Sequence, residues 1–533
     1  MPVKILAFSG AENTEYLTEY HTDQSYFGGD LGCVIEPNGM IILDFGKEYS
    51  GGVKMIVNDC GGDKNGTVRI RFGESASEAS SEPGLKGQTN DHSVRDQILS
   101  VAWVSQLEYG NTGYRFIRID NVGNKRVSFR QIFGVYVHSG LKLRATFSCS
   151  DERLNKIWET GVRTVYLNMQ EYVYDGIKRD RVVWIGDMHP ETSAISRLFG
   201  DVEAVRKSLD FVRDHTAHGR WMNDIPSYTC WWIKIHRDWY WYGGDKAYLA
   251  EQTSYLKEVL PALFAAVNQD GSVNIDFKFI DWPSSDNSQA QDAGLKALLR
   301  IAFLSAKEIL EICDEKDGEL IKMCDVKATE LLQGKAEANG NKQAAALMVL
   351  AGLASAKEMN EKLFSVAPYR GVSTFLGYYL LCARAEAGDL LGALDLIRVY
   401  WGAMLDLGAT TFWEDFNLDW TVNAKPIDEM LENGEYDVHG DNGAYCYSGF
   451  RHSLCHGWAS GPVPFLSEYV LGVKFLQAGG REVLIMPKMG DLDWAEGKVP
   501  TPLGDLWVRH ERTGNKITTK YVAPNGITVK IAQ

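Results

Sequence analysis

Apolar and polar positions alternate in short runs over the first 147 residues. IILDFGKEY, GGVKMIVND, TVRIRFGES and VSFRQIFGVYVH have period two or are β-branched, and Gly, Asn and Asp punctuate them in NGM, GGDKNG and GNTG. Strands at this spacing predict a β-sandwich over 1–147. The Ser-, Glu- and Gly-rich stretch from Glu74 to Asp91 reads as a surface loop. At Ser150 the period changes. SDERLNKIWETGVRTVYLNMQEYV opens on a Ser cap and repeats its apolar residues at helical spacing. Helical segments then dominate to about residue 405, among them NSQAQDAGLKALLRIAFLSAKEILEIC, NKQAAALMVLAGL, STFLGYYLLCARAEAG and LLGALDLIRVYWGAML. Many are paired across a Gly or a short polar turn, as in AEAGDLLGA. Helical hairpins in this number close into a toroid or stack into an open solenoid, and the lack of a fixed repeat period disfavours the solenoid. Long loops at 174–188, 269–285 and 405–452 interrupt the helices and concentrate Asp, Glu and Trp; such loops usually carry function. From about residue 476, VLIMPKM, LWVRHERTG, ITTKYVAP and ITVKIAQ read as strands of a small terminal sandwich.

Composition narrows the partners. A formal charge of −15 over 533 residues repels polyanions, and no basic patch offsets it, so nucleic acid is not an expected ligand. Neutral substrates fit this charge. No apolar run is long enough to span a bilayer, and MPVKILAFSGAENTEY lacks a secretory apolar region. Nine cysteines are scattered singly with no CxxC pair, as expected for reduced thiols in a cytoplasmic protein. Fifteen Trp and twenty-four Tyr supply aromatic faces that serve core packing or stack on sugar rings. No phosphate-binding glycine loop, HExxH, Cys/His cluster or GxSxG elbow is present, so neither cofactor nor metal is expected. DVHGDNG reads as a polar loop.

Two carboxylate-bearing loops carry candidate chemistry. Residues 174–187 hold Asp175, Asp180 and Asp187 with Lys178, Arg179, Arg181 and Trp184; residues 408–420, GATTFWEDFNLDW, hold Glu414 and Asp415. Glycosidic hydrolysis needs a protonated carboxyl at the leaving oxygen and an ionised carboxylate on the opposite side, and neighbouring charges decide which keeps its proton. The plainer alternatives are a helix cap for Asp187, surface ion pairs for the arginines and a core position for Trp184.

The first loop resembles the signature of the bacterial α-L-rhamnosidases, glycoside hydrolase family 78, in which an Asp is followed by an Arg, an acidic residue and then W-x-G-D. Asp175, Arg179, Asp180, Trp184 and Asp187 stand on those positions. The resemblance implies that Asp180 is the general acid and that its neighbours hold the sugar; the family usually has Glu where Asp180 stands. GATTFWE is similar to the segment carrying the family's general base, which implies that role for Glu414 with Asp415 as the fallback. SLCHGWASG puts His456 on a sugar-binding His, DWPSS puts Trp282 on the sugar site, and DIPSYTCWW supplies a further Trp, taken as Trp231 over Trp232. SCSDERLNKIWETG, WAEGKVPTPLGDLWV, LDFGKEYSGG and GNTGYRFIRID resemble the family's barrel entry, closing β-domain and preceding sandwich. The implied architecture is an (α/α)6 barrel over 148–474, flanked by an N-terminal β-sandwich over 1–147 and a small C-terminal β-domain over 475–533. The implied activity is inverting release of terminal α-L-rhamnose, with no cofactor and no metal, and with acid and base about 6.5–9.5 Å apart. The rivals are another carbohydrate-active enzyme on the same barrel, such as a lyase, or a non-catalytic sugar-binding protein. A homodimer is left open.

Overall fold

The computed structural model describes residues 1–313, 318–432 and 434–532. The alternating N-terminal runs form a six-stranded antiparallel sheet. Its longest strand, Cys33–Asp59, pairs with Lys4–Glu12, Ser105–Asn121 and Val127–Tyr136. A strand of that length cannot stay straight in a compact domain. Register breaks between Asp44 and Tyr49 and between Gly51 and Val53 bend it. Gly51, at φ 146°, sits where a Cβ would lie 2.0 Å from the Val135 carbonyl oxygen, so only glycine lets the strands approach there. Val53, Met55, Val57, Ile70, Ile117 and Phe129 form the separate core of this sheet.

The stretch from Glu74 to Asp91 corrects the surface-loop expectation at its start. It forms a short helix, Ala76–Ser80, capped by the Ser75 side chain, and Glu74, Ser75 and Glu78 are all buried. Their polarity reflects ion pairing with the next domain, which composition alone cannot distinguish from solvation.

The helical region begins at Glu152–Asn168. Its cap is Asp151, whose carboxylate accepts from the Arg153 and Leu154 amides, not the serine before it. Further along, Met188–Leu198 packs on Pro226–Gly243, which packs on Ser288–Ile312. The contacts continue through Lys342–Leu350 and Gly377–Glu386 to Pro462–Phe465, which returns to Met188–Leu198. All residues of Met188–Leu198 are buried, as befits a helix surrounded by others. The segments entering these helices carry the singled-out loops, so the chemistry-bearing side chains gather at helix N-termini, where the backbone favours anions. No helix among the described residues is long and apolar enough to cross a membrane.

The C-terminal strands form two sheets. Trp494–Thr501, Gly504–Thr513 and Lys516–Val522 make one, completed at its edge by Thr146–Cys149 from before the first long helix. Val473–Phe475, Glu482–Ile485 and Thr528–Ile531 make the other. Leu506, Val508 and Phe147 share one apolar core with the helices, so this β-region is not cored independently.

Candidate active site

Asp175, Arg179, Asp180, Trp184, Asp187, Trp282, Glu414 and His456 line one cavity of ≈ 280 Å³. The loop 174–187 is irregular, and its turn is made by two consecutive left-handed residues, Asp180 at φ 50° and Arg181 at φ 51°. Such backbone is costly outside glycine and concentrates at functional sites. The turn directs the Arg179 guanidinium inward. One of its nitrogens lies 3.0 Å from Asp180 Oδ2 and the other donates to Glu414 Oε1. Arg179 Nε donates to the Arg451 carbonyl at 2.7 Å, fixing the fork.

Glu414 is held from every side. Its Oε2 accepts from the Ser453 amide at 3.0 Å, its own amide donates to the Ser453 carbonyl at 2.9 Å, and its carbonyl accepts from Trp458 Nε1 at 2.8 Å and Thr374 Oγ1 at 2.5 Å. Asp180 differs: its side chain is 30% exposed and faces open space, against 4% for Glu414. Because a single fork reaches both, their facing oxygens lie within about 8 Å of each other.

His456 Nε2 stands 3.9 Å from Asp175 Oδ2, 4.0 Å from Asp187 Oδ2 and 3.9 Å from Glu414 Oε1. Burial, with Arg179 nearby, holds its pKa well below the usual imidazole value, so the ring is neutral at neutral pH. Burial likewise pushes Asp187 up to about 8, against the lowering effect of the Tyr228 hydroxyl that donates to it at 2.7 Å. Asp187 occupies the cap position of Met188–Leu198 but makes no cap hydrogen bond, which removes the plainer reading of it. Asp175 is raised too, by burial first and then by Asp187. Behind them, Glu191 is buried with neither carboxylate oxygen partnered among the described residues, and burial raises it well above the ordinary carboxylate range. Burial thus favours the protonated form of Asp175, Asp187 and Glu191, in which a carboxyl can donate a hydrogen bond to a hydroxyl oxygen.

The apolar wall is a run of rings set edge to face. Trp184 meets Tyr228 at 6.2 Å, Tyr228 meets Phe279 at 6.2 Å, and Phe279 meets Trp282 at 5.1 Å. Tyr228, Phe277, Phe279, Trp458, Asn223 and Asp224 are lining residues that the sequence reading did not pick out. Trp231 is not among the lining residues. It is 1% exposed and packs against both His189 at 4.9 Å and Tyr379 at 5.0 Å, one helical turn along from Tyr228. The DIPSYTCWW segment does reach the cavity, but through its tyrosine.

Glu74, Glu78 and His439 have ligand atoms within 4.8 Å of one another, a spacing that suits a cation. The Lys178 ammonium already serves as that cation, at 3.1 Å from Glu74 and 3.4 Å from Glu78, and donates to the Phe450 and His452 carbonyls. Both His439 nitrogens are engaged, with Ser75 Oγ and the His452 carbonyl. A larger cavity of ≈ 630 Å³ opens beside Asp270 and Lys296, but its charges are mutually paired, as in Lys278–Asp292, or tied to backbone, as in Lys296.

A model of the bacterial alpha-L-rhamnosidase six-hairpin glycosidase domain matches residues 142–313, and one of the bacterial alpha-L-rhamnosidase C-terminal domain matches 472–532. Both matches are to domains of bacterial alpha-L-rhamnosidases. A curated alpha-L-rhamnosidase of Alteromonas sp. (strain LOR) is 25% identical over 466 residues, 78% of this chain and 48% of that protein. The chain therefore spans about half the length of the curated relative it matches. Among solved structures, a family 78 rhamnosidase of Bacillus sp. GL1 superposes with a TM-score of 0.75 at 22% identity, covering 93% of this chain and 53% of that one. A rhamnosidase from Klebsiella oxytoca with rhamnose bound gives 0.69 at 21% identity, over 87% of this chain and 94% of the other. These structural likenesses establish a shared fold: the helical region is a rhamnosidase-type six-hairpin domain.

Proposed function

We propose that the protein is a glycoside hydrolase that releases terminal α-L-rhamnose with inversion. The observation carrying this reading is that Arg179 pairs with both Asp180 and Glu414 in the lining of one aromatic-walled cavity. Asp180, the more open of the two, donates a proton to the leaving oxygen. Glu414 takes a proton from the water that attacks the anomeric carbon on the far face. Asp175, Asp187 and His456 receive sugar hydroxyls, while Trp184 and Trp282 cover the ring. The closed ring of inner helices supports reading the middle of the chain as an (α/α)6 barrel over 148–474, between an N-terminal β-sandwich over 1–147 and a C-terminal β-domain over 475–533. The strand at 146–149 is lent to the last of these. The free cysteines suit a cytoplasmic enzyme.

A panel of nitrophenyl glycosides tests the activity, and proton NMR of the first-formed sugar tests the stereochemistry. The expected result is turnover of the α-L-rhamnoside with β-L-rhamnose appearing first. Turnover of another glycoside alone removes the substrate assignment, and α-anomer appearing first removes inversion.

A further inference from the structure

The leaving group must depart past Asp180, so the surface beyond that residue bears on what the enzyme accepts. A trough of ≈ 490 Å³ adjoins the site cavity, and the two share Asn223 and Asp224 as lining residues. One rim of the trough is Val182, two residues past the acid and 42% exposed; the floor includes Phe211, 37% exposed, with half-buried Trp221. Exposed apolar groups gathered in a concavity next to a reaction centre are what a ring with an apolar face requires.

Left-handed backbone marks two segments beside the junction of the cavities. Asp180 and Arg181 are consecutive left-handed residues in the site loop, and Asn223 and Asp224, at φ 51° and 60°, are the residues the cavities share. The two turns are stitched together: Asn223 Nδ2 donates to the Val183 carbonyl at 3.2 Å, and Asn223 Oδ1 accepts from the Ile185 amide at 3.0 Å. These bonds hold the two turns in fixed relation beside the acid. Arg220 pairs with Asp224 at 2.7 Å, and the His215 ring lies tilted against Phe211 at 4.3 Å, giving the apolar floor a polar rim.

We infer that this trough, floored by Phe211 and Trp221 and rimmed by Val182, is a leaving-group subsite for an uncharged ring with a flat apolar face. This rests on the rhamnosidase reading with Asp180 as the acid. The ring is the face of a second sugar or an arene, two sources of the same stacking chemistry. A leaving group too small to reach beyond Asn223 and Asp224 gains nothing from the trough.

The test compares kcat/KM for methyl α-L-rhamnoside, 2-naphthyl α-L-rhamnoside and a rhamnosyl-glucose disaccharide in the native protein and in Phe211→Ala and Val182→Ser. Both substituted side chains are exposed, and unfolding midpoints verify that each variant folds. The expected result is that the ratio of a ring-bearing substrate to the methyl glycoside falls about tenfold, which is about 1.4 kcal/mol of transition-state binding. A fall with the naphthyl substrate alone names an arene, and with the disaccharide alone a sugar. Ratios within twofold of native for both substrates in both variants overturn the inference. If the native protein cleaves no rhamnoside, the activity reading fails by itself. The trough is then decided by titrating free 2-naphthol and methyl β-D-glucoside: weaker binding by Phe211→Ala upholds it, and no binding by the native protein overturns it.

Discussion

Arg179 holds Asp180 and Glu414 through different nitrogens of one guanidinium, so the proposed acid and base are positioned by a single buried side chain. Removing that cation leaves the buried Glu414 carboxylate, among the described residues, with the Ser453 amide as its hydrogen-bond donor. Arg179→Met is expected to lower kcat/KM on a rhamnoside by at least about 100-fold and to destabilise the fold by about 3–5 kcal/mol, the range for breaking one half of a buried pair. Denaturant unfolding checks the second figure. The double variant Arg179→Met/Glu414→Gln recovers part of the stability and none of the activity.

Asp180→Asn and Glu414→Gln each keep size and shape while losing the proton-transfer function. Each is expected to lower kcat about 10²–10⁴-fold, the range for general acid or base groups. Near-native rates in either variant would remove its residue from the mechanism. Circular dichroism separates this from misfolding.

Lys178 is fully buried among Glu74, Glu78 and two carbonyls, and Glu74 also accepts from the Leu454 amide at 2.6 Å beside the Glu414 anchor Ser453. Lys178→Met leaves Glu74 buried without its cation, while Glu78 keeps Arg95 at 2.9 Å, and is expected to cost about 3–5 kcal/mol in urea unfolding. Since an ammonium already fills that nest, chelators are expected to leave both activity and melting temperature unchanged.

Asp187 has a folded-state pKa raised from 3.8 to about 8, chiefly by burial. The folded protein therefore retains a proton that the unfolded chain has released, and this group's contribution lowers stability as pH rises from about 4 to about 8, levelling off above that. Asp187→Asn keeps an acceptor for Tyr228 but cannot ionise. It is expected to show a flatter dependence of melting temperature on pH across that window, with its largest gain over the native protein near pH 8, while losing affinity for the sugar.

The legible part of the site lay in charged loop residues. Asp175, Arg179, Asp180, Asp187 and Glu414 were singled out as loop charges whose likeness to the rhamnosidase signature implied a shared site, and they line one cavity. The aromatic wall was not readable in the same way. Trp231 and Tyr228 lie on one helix three residues apart, yet one is packed in the core and the other lines the cavity, because sequence gives the face of a helix but not depth along it. Asn223 and Asp224 were missed because left-handed backbone at non-glycine residues leaves no compositional mark. The helices read from periodicity over 288–312, 342–350, 377–386 and 390–406 formed where apolar spacing indicated. The strand at 146–149 did not stand out, since four residues show no usable period and their partner is some 350 positions away.

That short strand ties the order of synthesis to the order of folding. Its hydrogen-bonding partner, Trp494–Thr501, and the helix that closes the ring, Pro462–Phe465, both leave the ribosome long after it. Until then the segment entering the first long helix has an unmet edge and the ring has a gap. The helical region is thus expected to reach its native state only once residue 501 has emerged, unlike the N-terminal sheet, whose core residues have all been translated by residue 136.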